Sequence, residues 1–419
     1  LPTDMRFVLV VLGVGAVVVY MAVKGFKKLA AFAEVCAPWM ILMFIVGALV
    51  MLPTTVLATA GVDGISSFSD FLKVANDSIW IDNDSDIGIW HVAAFAWIAN
   101  LAMHGSLGDM TLLRFAKKSK YGYFSALGMF IGHYIAWVCA GIMGAGAAIL
   151  LNTSITAIDP GTVAFSALGA SGILAVIIAG WTTSNPTIYR AGLAFSSLNH
   201  AWGRTRVTIV VGIITTIIAC SPFVFSKLLG FVGYMGMLLA PVGAIIVTEH
   251  WLFAKLGLTR YWSKYKGNTT NIAALATWII SVVAGITVEQ TGLLHLFFIL
   301  IPLWIFATVL YIGLASVMGA KETYSQAAEH EAAEFQRKEA ERAYLANDLA
   351  ETQANPKKKV TTQVLVAKYA SYLALISCAY LGVMSYATEN IDLATTWLLL
   401  PTLIYFVTAT YAMLQQDKN

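Results

Sequence analysis

The run Ala179-Gly180-Trp181-Thr182-Thr183-Ser184-Asn185-Pro186 sets hydroxyls, an amide and a helix breaker inside an otherwise apolar stretch. Two adjacent hydroxyls offer hard oxygen ligands, which a small cation such as Na⁺ takes in preference to softer sulfur or nitrogen donors. The carbonyl of Ala179, one turn earlier, lies on the same helical face and can complete half of an ion site. Pro186 has no N–H to give the carbonyl of Thr182, which leaves that oxygen without its usual helical donor. The plainer alternative is that these hydroxyls simply bond back to the preceding turn, as Thr and Ser often do in membrane helices.

A second constellation runs from Ile89-Trp90-His91 through Trp97 and Asn100 to His104-Gly105-Ser106-Leu107-Gly108-Asp109. Two glycines flanking Ser106, with Asn100 and His104 upstream, are costly in a plain lipid-facing helix. An interrupted helix here would present Trp97, Asn100 or His104 to a ligand at mid-membrane depth. The indole suits stacking on a planar ring and the amide suits pairing with its polar edge. The alternative is a glycine-mediated close approach between helices. Asp109, five residues before Arg114, reads equally as a structural cap or ion-pair residue and as a functional one.

The elements that must position these groups are membrane helices. Of 419 residues, 58% are hydrophobic and only 12% charged, and the mean hydropathy is +0.74. A soluble domain carries about a quarter charged residues, so an ordinary soluble enzyme is excluded. The net charge of +3 is too small and dispersed for nucleic-acid binding. Apolar segments at 7–23, 29–52, 87–110, 122–151, 162–190, 206–226, 229–254, 270–288, 291–319, 363–387 and 393–414 give eleven expected spans. A helix rising about 1.5 Å per residue needs roughly 20 residues to cross about 30 Å of hydrocarbon. No segment alternates like a barrel strand, and unpaired backbone is excluded from lipid, so the spans are expected to be helical.

Basic residues alternate between connections. Lys24, Lys27 and Lys28 mark the first, Arg114, Lys117, Lys118 and Lys120 the third, and Arg204 and Arg206 the fifth. Lys255, Arg260, Lys264 and Lys266 mark the seventh, whereas 53–86 is rich in Asp and 152–161 has no basic residue. The positive-inside rule puts the basic connections in the cytoplasm and Leu1 outside. No apolar span precedes Phe7, so the expectation is a chain lacking an odd number of N-terminal spans, with an unusual start codon as the alternative. Residues 320–360 favour a charged cytoplasmic helix ended by Pro356, a solvated spacer before the last two spans. Cys36, Cys139, Cys220 and Cys378 lie inside spans without ligand spacing and read as packing residues. Neither an intramembrane carboxylate pair nor a Ser/His/Asp set is evident, and Gly144-Ala145-Gly146 lacks the strand and Lys of a nucleotide loop.

Trp181-Thr182-Thr183-Ser184-Asn185, followed by Tyr189 and Ala191-Gly192-Leu193, resembles the eighth-helix signature of the nucleobase:cation symporters, the purine–cytosine and hydantoin permeases. Gly25-Phe26-Lys27-Lys28 with Pro38 resembles the join of that family's fourth and fifth helices. Asp109 to Arg114-Phe115-Ala116 resembles the end of its sixth. Ala240-Pro241-Val242-Gly243, running to Glu249-His250-Trp251-Leu252, resembles the end of its tenth, where Asp is usual in place of Glu249.

The resemblance covers about residues 7–319. It implies an all-α, leucine-transporter-like fold of five plus five inverted repeats, here without its first three helices and with two extra C-terminal ones. Residues 1–319 would be the transporter core (family helices four to twelve), 320–360 the charged linker, and 361–419 the added helices. Carried over, Ala179, Thr182 and Thr183 would form the eighth-helix part of a Na⁺ site. Trp97, Asn100, His104 and Asn185 would face substrate, and Gly236 and Leu239 would gate it. Two extra residues between Asp109 and Arg114 leave Trp97, Asn100 and Ala102 competing for the stacking place.

The implied function is cation-coupled uptake of a purine, cytosine, hydantoin or allantoin across the plasma or inner membrane. A symporter of the same fold for amino acids or other small organic solutes is the nearest alternative. Neutral coupling residues favour Na⁺, while His104 keeps H⁺ open. The expected partners are the bilayer and a small heterocycle, with no nucleic acid and no organic cofactor. That reading would fail if Thr182 and Thr183 faced lipid while 89–110 formed an unbroken rod.

Overall fold

The computed structural model describes residues 5–57, 67, 69, 87–96, 104–199, 201–221, 223, 227–354 and 361–416. All regular structure among them is helical. In chain order, α1 is Met5–Lys24, α2 Phe26–Met51, α3 Ile89–Ala94, α4 Tyr121–Leu151, α5 Pro160–Leu168, α6 Ala170–Ser196 and α7 Arg204–Ala219. Then come α8 Leu228–Val247, α9 Ile272–Gln290, α10 Leu300–Ala315, α11 Ser325–Ala354, α12 Thr362–Ala387, α13 Ile391–Trp397 and α14 Leu399–Gln416. Among the described residues, eight helices are long and apolar enough to cross a membrane. The protein is therefore a multi-pass membrane protein.

Three expected spans fall outside that set. Segment 87–110 is described only in part. Segment 206–226 contributes α7, which ends at Ala219. Segment 162–190 is not one helix: it breaks at Gly169 between α5 and α6. Gly169 has φ 59°, and a Cβ there would stand 2.2 Å from the carbonyl oxygen of Thr395, so only glycine fits the corner. α5 starts on an Asp159 cap, whose carboxylate accepts from the N–H of Gly161 (2.9 Å) and Thr162 (3.0 Å), with Pro160 in the first turn. The expected span 291–319 likewise becomes helical only from Leu300, after a tight turn at Leu296–Phe298.

The chain forms two compact units. One holds 86–117 and 221–357; the other holds 2–85, 118–220 and 358–419. In the second, α2 is the central element, packed by α4, α6, α12 and α14. Its inward row Val35, Trp39, Met43 and Val46 is fully or almost fully buried. Trp39 Nε1 donates to Thr402 Oγ1 at 3.1 Å, and Tyr405 Oη donates to the carbonyl of Val35 at 2.7 Å. These bonds tie α14 to α2, so the last two spans belong to this unit's core.

In the first unit, α8, α9 and α10 pack together around Met237, Leu300 and Leu303. Beyond α8 the backbone widens into a π-helical turn at Thr248–Leu252. There Glu249 accepts from the N–H of Tyr261 (2.9 Å) and from Tyr311 Oη (2.5 Å). The charged segment forms α11 as expected. Its Glu331 and Glu334 lie 3.7 and 3.6 Å from Arg260, Glu331 exposed and the Arg260–Glu334 pair half-buried. Pro356 and Lys357 to Lys359 lie outside the described residues.

Candidate ion and solute site

Thr182 and Thr183 sit mid-way along α6, which continues through Pro186 to Ser196. Both hydroxyls donate to the carbonyl of Ala179, each at 3.0 Å. Ser184 Oγ donates to Gly180 at 2.7 Å and Thr187 Oγ1 to Thr183 at 2.8 Å. The back-bonding alternative is thus what this structure contains. It does not consume the hydroxyl oxygens, because a donating hydroxyl keeps its acceptor lone pairs, whereas the Ala179 carbonyl already accepts from both. Ala179 O, Thr182 Oγ1 and Thr183 Oγ1 form a compact set of three hard oxygens on one helix.

Adjacent positions on a helix are about 100° apart, so the two threonines face different neighbours. Thr182 is half-buried, with Met40 Sδ of α2 3.9 Å from its hydroxyl. Thr183 is exposed and lines a cavity of about 460 Å³ between α1, α6 and α7. Thr187, Thr215 and Thr216 line the same cavity opposite valines of α1. These further hydroxyls carry no mark in the sequence, because isolated Thr residues in apolar helices are common.

Asn185, one turn after Thr182, is 2% exposed, and its Oδ1 has no hydrogen-bond partner. Trp181 Nε1, on the same face, is also buried and unpartnered. A buried acceptor and a buried donor left open one turn apart cost free energy, about 1–3 kcal/mol each, unless something else satisfies them. Their spacing of four residues puts Trp181 and Asn185 on one face of α6.

The other unit holds the remaining expected site residues. Trp97, Asn100 and Ala102 lie outside the described residues. His104 Nδ1 pairs with the Asp109 carboxylate. Between them the helix stops: Ser106 to Asp109 form turns, Leu107 takes φ 63°, and helix resumes at Met110. Thr111 Oγ1 steadies the corner by donating to the carbonyl of Gly108 at 2.8 Å. The close-approach alternative is also realised at this corner. A Cβ on Gly243 of α8 would come 1.9 Å from the carbonyl oxygen of Gly105. Leu239 and Gly236 sit one and two turns earlier on α8, Gly236 buried and Leu239 half-buried. The intervening carbonyl of Leu238 accepts from Trp278 Nε1 at 2.9 Å.

At the other end of α3, His91 and His295 meet edge to face with ring centroids 4.8 Å apart. Each Nδ1 accepts a backbone N–H, from Gly88 at 3.2 Å and Phe297 at 3.3 Å. Burial, and then the charge of His91, push the His295 imidazole below its ordinary pKa, against an opposing pull from Glu289.

No family model, curated protein or solved structure matches this chain.

Proposed function

We propose that this protein is a secondary transporter that couples a cation, Na⁺ or H⁺, to uptake of a nucleobase or related planar heterocycle. The observation that carries the reading is on α6. Three hard oxygens (Ala179 O, Thr182 Oγ1 and Thr183 Oγ1) stand one turn from a buried amide, Asn185, whose oxygen is unsatisfied. The interruption at Ser106–Asp109 is a second feature in keeping with transport, since broken helices are where many transporters hold substrate and ion. The resemblance of the Trp181–Asn185 run to the nucleobase:cation symporters gives the reading its substrate class.

In this mechanism the ion binds beside Ala179, Thr182 and Thr183, completing its shell with oxygens from other elements. The bound ion stabilises the substrate-competent conformation, and the loaded protein then exchanges its exposed side. Asn185 would pair with the polar edge of the heterocycle. In the other unit, Trp97, Asn100 and His104 are the residues that the resemblance assigns to substrate, and Gly236 and Leu239 those that it assigns to the gate.

Whole-cell uptake of radiolabelled uracil, cytosine, hypoxanthine and hydantoin, with and without Na⁺, tests the proposal. A competition panel of nucleobases against amino acids decides the substrate class. Saturable nucleobase uptake stimulated by Na⁺ or a proton gradient supports the reading. Competition by amino acids alone replaces it with the amino-acid symporter.

A further inference from the structure

After α10 the chain turns at Gly319, φ 136°, and α11 sets out along the connection between α8 and α9. Its root is fastened by hydrogen bonds. Thr259 donates its N–H to the carbonyl of Ala320 at 2.7 Å and its hydroxyl to the carbonyl of Glu322 at 2.8 Å. Lys266 Nζ donates to the carbonyl of Met318 at 3.0 Å and meets the Glu322 carboxylate at 3.3 Å.

Farther out the hold changes character. Tyr324, Ala327, Glu331 and Glu334 are spaced so that they share one helical face, and all four line a cavity of about 460 Å³ beneath α11. Two of the four are carboxylates, so apolar burial does not fasten this length. Arg260 does, 3.7 Å from Glu331 and 3.6 Å from Glu334. Both distances exceed the roughly 2.7–2.9 Å of a charge-assisted hydrogen bond. The Arg260 side chain keeps 22% of its surface open and Glu331 71%, so dissolved ions reach the pairing. His330 adds ring contacts, its centroid 5.4 Å from Tyr261 and 6.4 Å from Tyr265. The described residues of α11 beyond Glu334 are exposed except Leu345.

Tyr261 links this clasp to α8. Its backbone N–H donates to Glu249 at 2.9 Å, and its hydroxyl meets His250 Nδ1 at 2.9 Å, both in the π-helical turn Thr248–Leu252. Tyr261 has φ 58°, a left-handed backbone that a non-glycine residue keeps only where its surroundings impose it.

We propose that α11 is a strap, closed by Arg260 against Glu331 and Glu334, that lifts as ionic strength rises and thereby loosens the π-helical end of α8. The root stays bonded through Thr259, while the arm from Ala327 to Glu334 swings off the cavity. The positive-inside rule puts this face in the cytoplasm, so the strap responds to cytoplasmic salt. It is independent of the ion and solute site on α6.

The test is amide hydrogen exchange of the full chain in neutral detergent, read by mass spectrometry, with KCl as the salt so that Na⁺ plays no part. Raising it from about 0.1 M to about 1 M shortens the screening length from about 10 Å to about 3 Å. A lifted helix loses the support of packing, and its amides exchange faster. Residues 326–334 are expected to exchange at least threefold faster at high salt, and the amides of 249–252 and Tyr261 to accelerate with them. Residues 341–354, which the clasp does not hold, report salt effects on exchange itself. Arg260→Gln should exchange at low salt as the wild type does at high salt and lose the salt response, whereas Arg260→Lys should keep most of it. The wild-type titration involves no substitution, so it decides the matter even if a variant misfolds. No acceleration at 326–334, an equal acceleration at 341–354, acceleration that leaves 249–252 unchanged, or a retained salt response in Arg260→Gln would each overturn the proposal.

Discussion

At the scale of single residues, the ion-site assignment turns on two hydroxyls that share one carbonyl. Thr182→Ala combined with Thr183→Ala is expected to abolish cation-stimulated uptake while surface expression persists, since neither side chain supplies core packing. Serine at both positions should restore most of it. Undiminished stimulation in the alanine variant would remove the assignment. Asn185→Leu removes the unsatisfied amide at similar volume; we expect lost uptake with unchanged or higher melting temperature, because no paired bond is broken. The His91–His295 contact gives a pH test. His295 is held below its ordinary pKa, so the folded state disfavours its protonation. Its contribution is complete above the unfolded-state value of about 6.5 and is lost as pH falls toward the lower folded value. Melting temperature should fall across that window in wild type and fall less in His295→Gln. The polar run at 181–187 was legible in the sequence as hydroxyls and an amide beside a proline within an apolar stretch. The imidazole contact was not, because it joins positions on separate elements that carry no shared motif.

At the scale of elements, the corner at Gly169 is the clearest failure of hydropathy. Residues 163–178 are small or apolar throughout, so nothing in composition signals that α5 and α6 are separate. The cause is the carbonyl of Thr395, which only tertiary structure places beside Gly169. Asp159, by contrast, was readable in principle, since Asp-Pro-Gly-Thr is a helix start. The Thr162 hydroxyl, together with the Gly161 and Thr162 N–H groups, holds its carboxyl below the usual range. The cap's contribution is therefore present above about pH 4 and lost as pH falls through the depressed value. Asp159→Ala should lower stability by about 1 kcal/mol at neutral pH, measured by thermal unfolding in detergent, with the difference from wild type vanishing in acid. The interruption at 106–109 followed from its two glycines. Its second use, letting Gly105 meet Gly243, depends on a helix the sequence could not align with it.

At the scale of the whole molecule, long apolar segments made the all-helical, multi-pass character plain, because bilayer thickness imposes one length on every span. How the helices group was not plain, since hydropathy is blind to which span touches which. The last two spans looked like an appendage, yet Thr402 and Tyr405 are bonded into the centre of α2. Thr402→Val keeps the volume but strands the Trp39 indole N–H in a fully buried place. A loss of about 1–3 kcal/mol is expected, relieved in the double variant with Trp39→Phe. Removing α11 should cost little by comparison, so uptake should survive deletion of 325–354 with a flexible replacement linker. The Trp39–Thr402 bond spans 363 positions of sequence. At about 5–20 residues per second, a ribosome needs roughly 20–70 s to deliver the second partner after the first. For that interval the nascent second span waits in the translocon's vicinity with an unclaimed indole and a bare apolar flank. Biogenesis factors that shelter half-built membrane proteins should therefore stay engaged with this chain until its final hairpin has been inserted.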